Sequence, residues 1–295
     1  GVKGVSPKVA AALADMFKVE ISLGSVSACE QEMSAALAAP VEEARQFVQA
    51  AAAINADETG WRERRERAWL WVAATSTVAV FLVHARRGTV AARELLGAFA
   101  GVLTTDRWSA YGAWALAKRQ LCFAHLLRDW QWIAERGQSA GRIGRALVRE
   151  TKAMFAYWHR VRDGTMSRAT FRRKVAPLRR RIEELLQRGA ACRHRKAAGM
   201  CREQLKLFKA MWTFVRVEGV EPTNNAAERM LRRAVLWRKR SFGTHSPEGS
   251  RFVERILTVH ATLKLQDRNA VDYLMDATAA ARVGHPAPSL LPAAA

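Results

Sequence analysis

The chain has 295 residues, 49% of them hydrophobic, enough to bury one large core or two modest ones. Its formal charge of +21, from 48 Lys plus Arg against 27 Asp plus Glu, exceeds what solubility needs and calls for a polyanionic partner, nucleic acid first. No apolar run reaches the roughly 18 residues of a spanning helix, and Cys29, Cys122, Cys192 and Cys201 lack the spacing of a secreted disulfide framework.

With no signal-peptide pattern at the start, a soluble intracellular protein with reduced thiols is expected, and no membrane partner. The opening on Gly1 rather than Met reads as a piece of something longer. Residues 1–50 show helical periodicity through Val9, Leu13, Met16 and Phe17 and again through Met33, Leu37, Val41, Ala44 and Val48. Ser6-Pro7 marks a helix start, Leu23-Gly24-Ser25 a turn and Pro40 a break. A helix-turn-helix DNA reader fits this pattern, but helices that brace a core fit it better.

By propensity the alanine run Ala51 to Ala56 continues the preceding helix as far as Asp57. Ala68 to Ala74 and Val78 to Val83, joined by Thr75-Ser76-Thr77, read as a hairpin. Thr89 is placed to cap a helix over Val90 to Phe99, and Gly101 to Thr105 reads as a buried strand ending at Asp106. Gln120 to Phe123 is a further strand, and helices follow from about His125. Strand pair, helix and returning strand make an α/β core.

Residues 126–220 are expected to be an all-helical insertion, with periodicity at Leu178, Ile182, Leu185 and Leu186 and at Leu205, Phe208, Met211 and Trp212. In Pro222-Thr223-Asn224-Asn225-Ala226-Ala227-Glu228, Pro222 blocks backward extension and Asn224 or Asn225 caps a helix running to about Trp237. Glu228 then sits one turn in. Taken alone, Asn225 and Glu228 fit a capping box equally well. A loop over residues 241–249, a helix carrying Phe252, Val253, Ile256, Leu257 and Val259, and another over Ala270 to Ala281 complete the pattern. The Pro/Ala-rich stretch from Pro286 is expected to be disordered.

Asp57, Asp106 and Glu228 are separated acids at the ends of apolar runs or one turn into a helix, in a chain otherwise dominated by cations. Oxygen-only donors of this kind suit Mg²⁺ or Mn²⁺. Two such ions about 3.5 to 4 Å apart clamp the attacking and leaving oxygens of an in-line phosphoryl displacement.

Four blocks resemble the signatures of the IS66 family of bacterial insertion-sequence transposases: Asp57-Glu58-Thr59, Leu103 to Tyr111, Cys122 to Arg128 and Thr223 to Arg229. The resemblance implies an RNase H-like mixed sheet core interrupted by the large all-helical insertion, with helical N- and C-terminal segments. The implied division is 1–50 helical, 51–125 first part of the core, 126–220 insertion, 221–265 second part, and 266–295 C-terminal helix and tail. It implies a strand at Asp57, against the alanine propensity. It further implies Asp57, Asp106 and Glu228 as DDE acids holding two Mg²⁺ or Mn²⁺ for DNA strand cleavage and transfer. Partners would be double-stranded DNA at transposon ends and target, a second copy of the chain and accessory element-encoded proteins, in the bacterial cytoplasm at the nucleoid. Family members usually carry a helix-turn-helix and a cysteine-rich segment ahead of this region, and neither is recognisable here. The rival reading is an inactive or truncated remnant that only binds DNA.

Cys122 and His125, spaced C-x-x-H, offer half of a tetrahedral zinc site, and Cys192, His194 and Cys201 are candidates for the remaining two ligands. A buried pair supporting the active-site wall, together with Asn224 and Asn225, is preferred to zinc. Arg232, Arg233, Arg238, Lys239 and Arg240 follow Glu228 and are candidates for phosphate contact, as are the cations from Arg172 to Arg181. Arg232 shares the Glu228 face. Trp108, Trp114, Trp130 and Trp132 are candidates for stacking on an unpaired base, but core packing fits them better; Trp108, two residues past Asp106, is the one singled out for testing.

Overall fold

The computed structural model describes residues 7–292. Helices α1 (Pro7–Phe17), α2 (Leu23–Ala36) and α3 (Ala38–Ala50) lead into strands β1 (Ala53–Glu63), β2 (Glu66–Ala74) and β3 (Ala79–His84), helix α4 (Thr89–Leu96) and strand β4 (Val102–Thr105). After two short 3₁₀ turns comes β5 (Arg119–Leu121), then α5 (Phe123–Ala134), α6 (Gln138–Arg162), α7 (Arg168–Ala190), α8 (Arg195–Lys206), α9 (Phe208–Met211) and α10 (Thr213–Arg216). Helices α11 (Asn225–Ser241), α12 (Pro247–Leu265) and α13 (Ala270–Arg282) follow. Strands pair both antiparallel and parallel, so the class is mixed α/β. Among the described residues, no helix is long and apolar enough to cross a membrane.

The chain divides into two compact units. The first takes the described residues up to Gly101, Ser109–Ala113 and those from Asn225 onward; the second takes Val102–Trp108 and Trp114–Asn224.

In the first unit the strands run β3-β2-β1, all antiparallel, with Asp57 opposite Val72, Thr59 opposite Leu70 and Trp61 opposite Ala68. Side chains alternate across a strand, so these six residues share one sheet face. That face is buried by α11 through Ala227, Leu231 and Ala234 and by α12 through Val253 and Leu257. The alanine run before Asp57 is strand from Ala53, which corrects the helix expected from propensity and agrees with the strand implied by the resemblance. The physical cause is tertiary: β1 gains a full ladder with β2 and buries Ile54, Ala56 and Trp61, which outweighs the few tenths of a kcal/mol per residue of helix preference. Gly101 fits here because a Cβ on it would stand 2.6 Å from the Ala51 carbonyl oxygen and 2.5 Å from that of Ala52.

The edge strand β3 has its outward N–H groups satisfied by a stripe on α12. Val83 donates to Glu254 (2.6 Å), Phe81 to Thr258 (3.1 Å) and Ala79 to Thr262 (3.1 Å). Four helical residues advance about 6 Å and two strand residues about 6.8 Å, so the two repeats keep step over this length. The stripe covers an edge that would otherwise be open to pairing with another chain. Burial pushes the Glu254 carboxyl up to about 7, against the opposing bond from Val83 and the charge of Arg251.

Several sequence expectations shift. Leu23-Gly24-Ser25 is the first turn of α2, capped by Ser22 accepting from the Ser25 N–H, rather than a turn before it. The break expected at Pro40 falls at the buried Leu37, and Pro40 occupies the first turn of α3, where its missing N–H costs nothing. Gly88, not Thr89, is the N-cap of α4, which stops at Leu96 before Gly97. Beyond Pro286 the chain is packed rather than disordered as far as residue 292: Leu290 is buried, Tyr273 donates to the Pro288 carbonyl and Ser289 to Glu43. Ser6 and residues 293–295 lie outside the described residues.

The second unit sets the parallel pair β4-β5 among helices α5 to α10. Its core is aromatic: the Phe123 ring lies 6.2 Å from Trp130, 6.2 Å from Phe155, 5.3 Å from Trp212 and 5.8 Å from Phe214. The buried Gln120 binds this core to the strand pair, donating to the Met211 carbonyl and accepting from the Phe214 N–H.

Candidate active site

Asp57 and Glu58 are adjacent acids in β1, and the pleat sends them to opposite faces. Glu58 is buried, accepting from the Tyr111 hydroxyl at 2.7 Å and from Arg87 Nε at 2.9 Å. Tyr111 meets Trp71 edge-on, and the Arg87 guanidinium lies 4.7 Å from the Trp69 ring centre. Glu58 is thus fully engaged in holding the sheet. Asp57 lies on the other face, the one that α11 covers, half-buried, with Oδ1 accepting from the Glu58 N–H at 2.9 Å.

Glu228 lies in the first turn of α11, half-buried. It adjoins the buried stripe of Ala227, Leu231 and Ala234, so the helix carrying it is seated on the sheet face that carries Asp57. An acid in a helix's first turn is also favoured by the helix dipole. The loop after α11 is pinned to the same hairpin: Thr244 N–H donates to the Arg62 carbonyl (2.9 Å), Arg64 N–H to the Thr244 carbonyl (2.9 Å) and Trp61 Nε1 to Thr244 Oγ1 (3.2 Å). Gly243 makes this approach with φ +108°, and a Cβ there would stand 2.2 Å from the Arg62 carbonyl oxygen.

The cations on α11 separate into two kinds. Arg238 donates to the Gly60 carbonyl and to Thr59 Oγ1, bracing α11 on β1. Arg233 places Nη1 3.0 Å from the ring nitrogens of His260, whose pKa is lowered by burial and then by Arg233 and Lys264. Arg232, Lys239 and Arg240 are exposed.

In the second unit Asp106 follows β4 directly, its Oδ1 accepting from the Trp108 N–H at 2.8 Å, which orients the carboxylate. The Cys122 N–H donates to the Thr105 carbonyl at 2.8 Å, so Asp106 and Cys122 leave the parallel pair at the same C-terminal end. His125 follows in the first turn of α5. Here Phe123 N–H meets the Pro222 carbonyl (2.9 Å) and Asn224 N–H meets Cys122 Sγ (3.1 Å). The C-x-x-H motif and the start of the Pro222-Thr223-Asn224 block, far apart in the chain, are therefore neighbours. Behind them sits a set that sequence reading missed: Arg107 pairs with Asp129, Gln204 donates to Asp129 (3.2 Å) and Trp130 Nε1 donates to Gln204 (2.8 Å). Burial raises the Asp129 pKa, with Arg107 opposing.

Cys192 points its Sγ at the His194 carbonyl, His194 caps α8, and burial pushes the Cys201 thiol up to about 11. Among the described residues these three do not gather with Cys122 and His125 into a set of three or more ligand atoms. Trp130 is buried, and Trp132 carries Arg136 4.2 Å and Lys196 4.5 Å from its ring centre, so both indoles are in use within the protein. Trp108 and Trp114 are half-buried.

A family model described as "Transposase IS66 family" matches residues 8–251. The chain belongs to the IS66 transposase family. It is also 26% identical over 249 residues to "Uncharacterized protein y4qI" of Sinorhizobium fredii (strain NBRC 101917 / NGR234), a match covering 75% of this chain and 45% of that protein. The chain thus spans less than half the length of this curated relative. No solved structure matches it. In the IS66 chain the first expected acid, Asp57, lies in β1, the second follows β4 and the third opens α11.

Proposed function

We propose that the chain is the catalytic region of a DNA transposase that cuts and joins DNA strands with a divalent metal. Residues 51–125 and 221–265 would supply an RNase H-like core and 126–220 its helical insertion. The observation that carries the reading is the seating of the Glu228 helix on the sheet face of Asp57, in a chain of the IS66 family.

The donor set of Asp57, Asp106 and Glu228 is hard oxygen only, which suits Mg²⁺ or Mn²⁺. Bound there, two such ions would activate a water or a DNA 3′ hydroxyl and stabilise the leaving oxygen. The chain's own part is orientation. Trp108 N–H and Glu58 N–H fix the carboxylates of Asp106 and Asp57, and the α11 cations offer charge to phosphates. Cys122 and Asn224, joined through the Asn224 N–H, brace the wall beside the end of β5. The partners on this reading are duplex DNA at the element's ends and at the target, a second copy of the chain on the DNA, and accessory element-encoded proteins, at the bacterial nucleoid.

Duplex DNA carrying the element's ends should be nicked and joined by the purified chain with Mg²⁺ or Mn²⁺, and chelation should stop both. Tight DNA binding without any metal-dependent cleavage would instead identify a remnant that only binds.

A further inference from the structure

The helical unit carries a groove of 460 Å³ between α7 and the segment Trp212 to Arg216. Its floor is apolar, with Val175, Ala176, Trp212 and Val215, and its rim holds Arg172, Arg179, Arg180 and Arg216 against a single acid, Glu183. All four arginines are exposed. Other cations of this unit have protein partners: Arg168 donates to the carbonyls of Phe214 (2.7 Å) and Val217 (3.2 Å), Arg181 and Arg149 lie against Glu150, and Arg202 donates to the Ala190 carbonyl. Arg179 instead lies 5.6 Å from the Phe208 ring centre, and Arg216 donates to Thr213 Oγ1 at 3.5 Å.

We propose that this groove is a second DNA-binding surface that takes one sugar-phosphate strand of a duplex, arginines on the phosphates and deoxyribose over the apolar floor. The inference rests on the DNA-processing reading above and adds a surface that none of the candidate active-site residues touches. Three physical points support it. Cations beside a low-dielectric floor hold a stronger field than cations in open water. Guanidinium matches phosphate geometry in a way that ammonium does not, and all four cations are arginine. Arg172 and Arg179 are separated by about 10.5 Å of helix, far enough apart to reach different phosphates of one strand.

The test is a salt titration of binding to a short labelled duplex by the full parent chain and three variants of it. The groove variant Arg172→Ala/Arg179→Ala/Arg180→Ala should lower the slope of log K against log salt by about 2 to 3, close to one for each phosphate no longer neutralised. The control variant Arg142→Ala/Arg188→Ala/Arg193→Ala removes the same charge from exposed positions outside the groove and should leave the slope near that of the parent. The charge-keeping variant Arg172→Lys/Arg179→Lys/Arg180→Lys should recover most of the slope but less of the affinity. If the parent binds with a steep slope and the groove and control variants behave alike, the groove is overturned while the transposase reading stands. A parent with no salt-dependent DNA binding overturns both. Loss of single-stranded RNA binding with duplex binding intact would assign the groove to RNA and likewise overturn the proposal.

Discussion

Glu254 gives the fold a pH dependence whose sign and size follow from its position. Its carboxyl is held near 7 in the folded chain by burial against β3, and its ordinary value is 4.5. The folded state therefore binds this proton more tightly than the unfolded chain does. The stability that the protonated form supplies is fully present below about pH 4.5, falls as pH rises toward 7, and is gone above it. The interval corresponds to about 3 kcal/mol, reduced to about 2 for the group's partial exposure to water. Urea unfolding of the parent and of Glu254→Gln should be compared at pH 4 and pH 8. The amide keeps an acceptor for the Val83 N–H but does not titrate, so the variant should gain about 2 kcal/mol relative to the parent over that range. A difference between the two proteins that stays constant with pH would refute the reasoning.

Other perturbations probe the neighbouring packing and the DNA surface. Thr258→Val leaves the Phe81 N–H without its acceptor and should cost about 1 to 3 kcal/mol in denaturant unfolding. Tyr111→Phe removes a hydrogen bond to the buried Glu58 and should cost about 1.5 to 3 kcal/mol, read the same way. Gly101→Ala forces a Cβ against the Ala51 and Ala52 backbone and should lower the melting temperature by several degrees, equivalent to about 1 to 3 kcal/mol. Arg232→Ala should weaken duplex binding and reduce its salt slope by about 1 if that exposed cation meets a phosphate.

Much of the architecture could be read from local signals. The β2-β3 hairpin follows from two aromatic and β-branched runs around Thr75 to Thr77, and Thr75 does close the turn, accepting from the Val78 N–H. The helix of Glu228 follows from Pro222, the two asparagines and the spacing of Ala227, Leu231 and Ala234. What stayed hidden depends on distant partners. Ala53 to Ala56 is strand because β2 pairs with it, and alanine carries no trace of that. Thr258 and Thr262 look like ordinary polar positions of a helix until β3, far earlier in the chain, presents its N–H groups to them. Glu58 shows the same limit at the site. Next to Asp57 in sequence, it is distinguished only by which sheet face it occupies, and that needs the strand and its register. Arg238, a candidate for phosphate contact, also braces the β1 backbone, a role that no charge pattern reveals.

Three acids carry the proposed chemistry. Metal-dependent cleavage of an end-bearing duplex should be measured side by side for Asp57→Asn, Asp106→Asn, Glu228→Gln and, as the neighbouring control, Glu58→Gln. Cleavage should vanish in the first three, with DNA affinity kept, and persist in the fourth at temperatures where that variant is folded. Residual cleavage in the first three equal to that of the control would contradict the assignment.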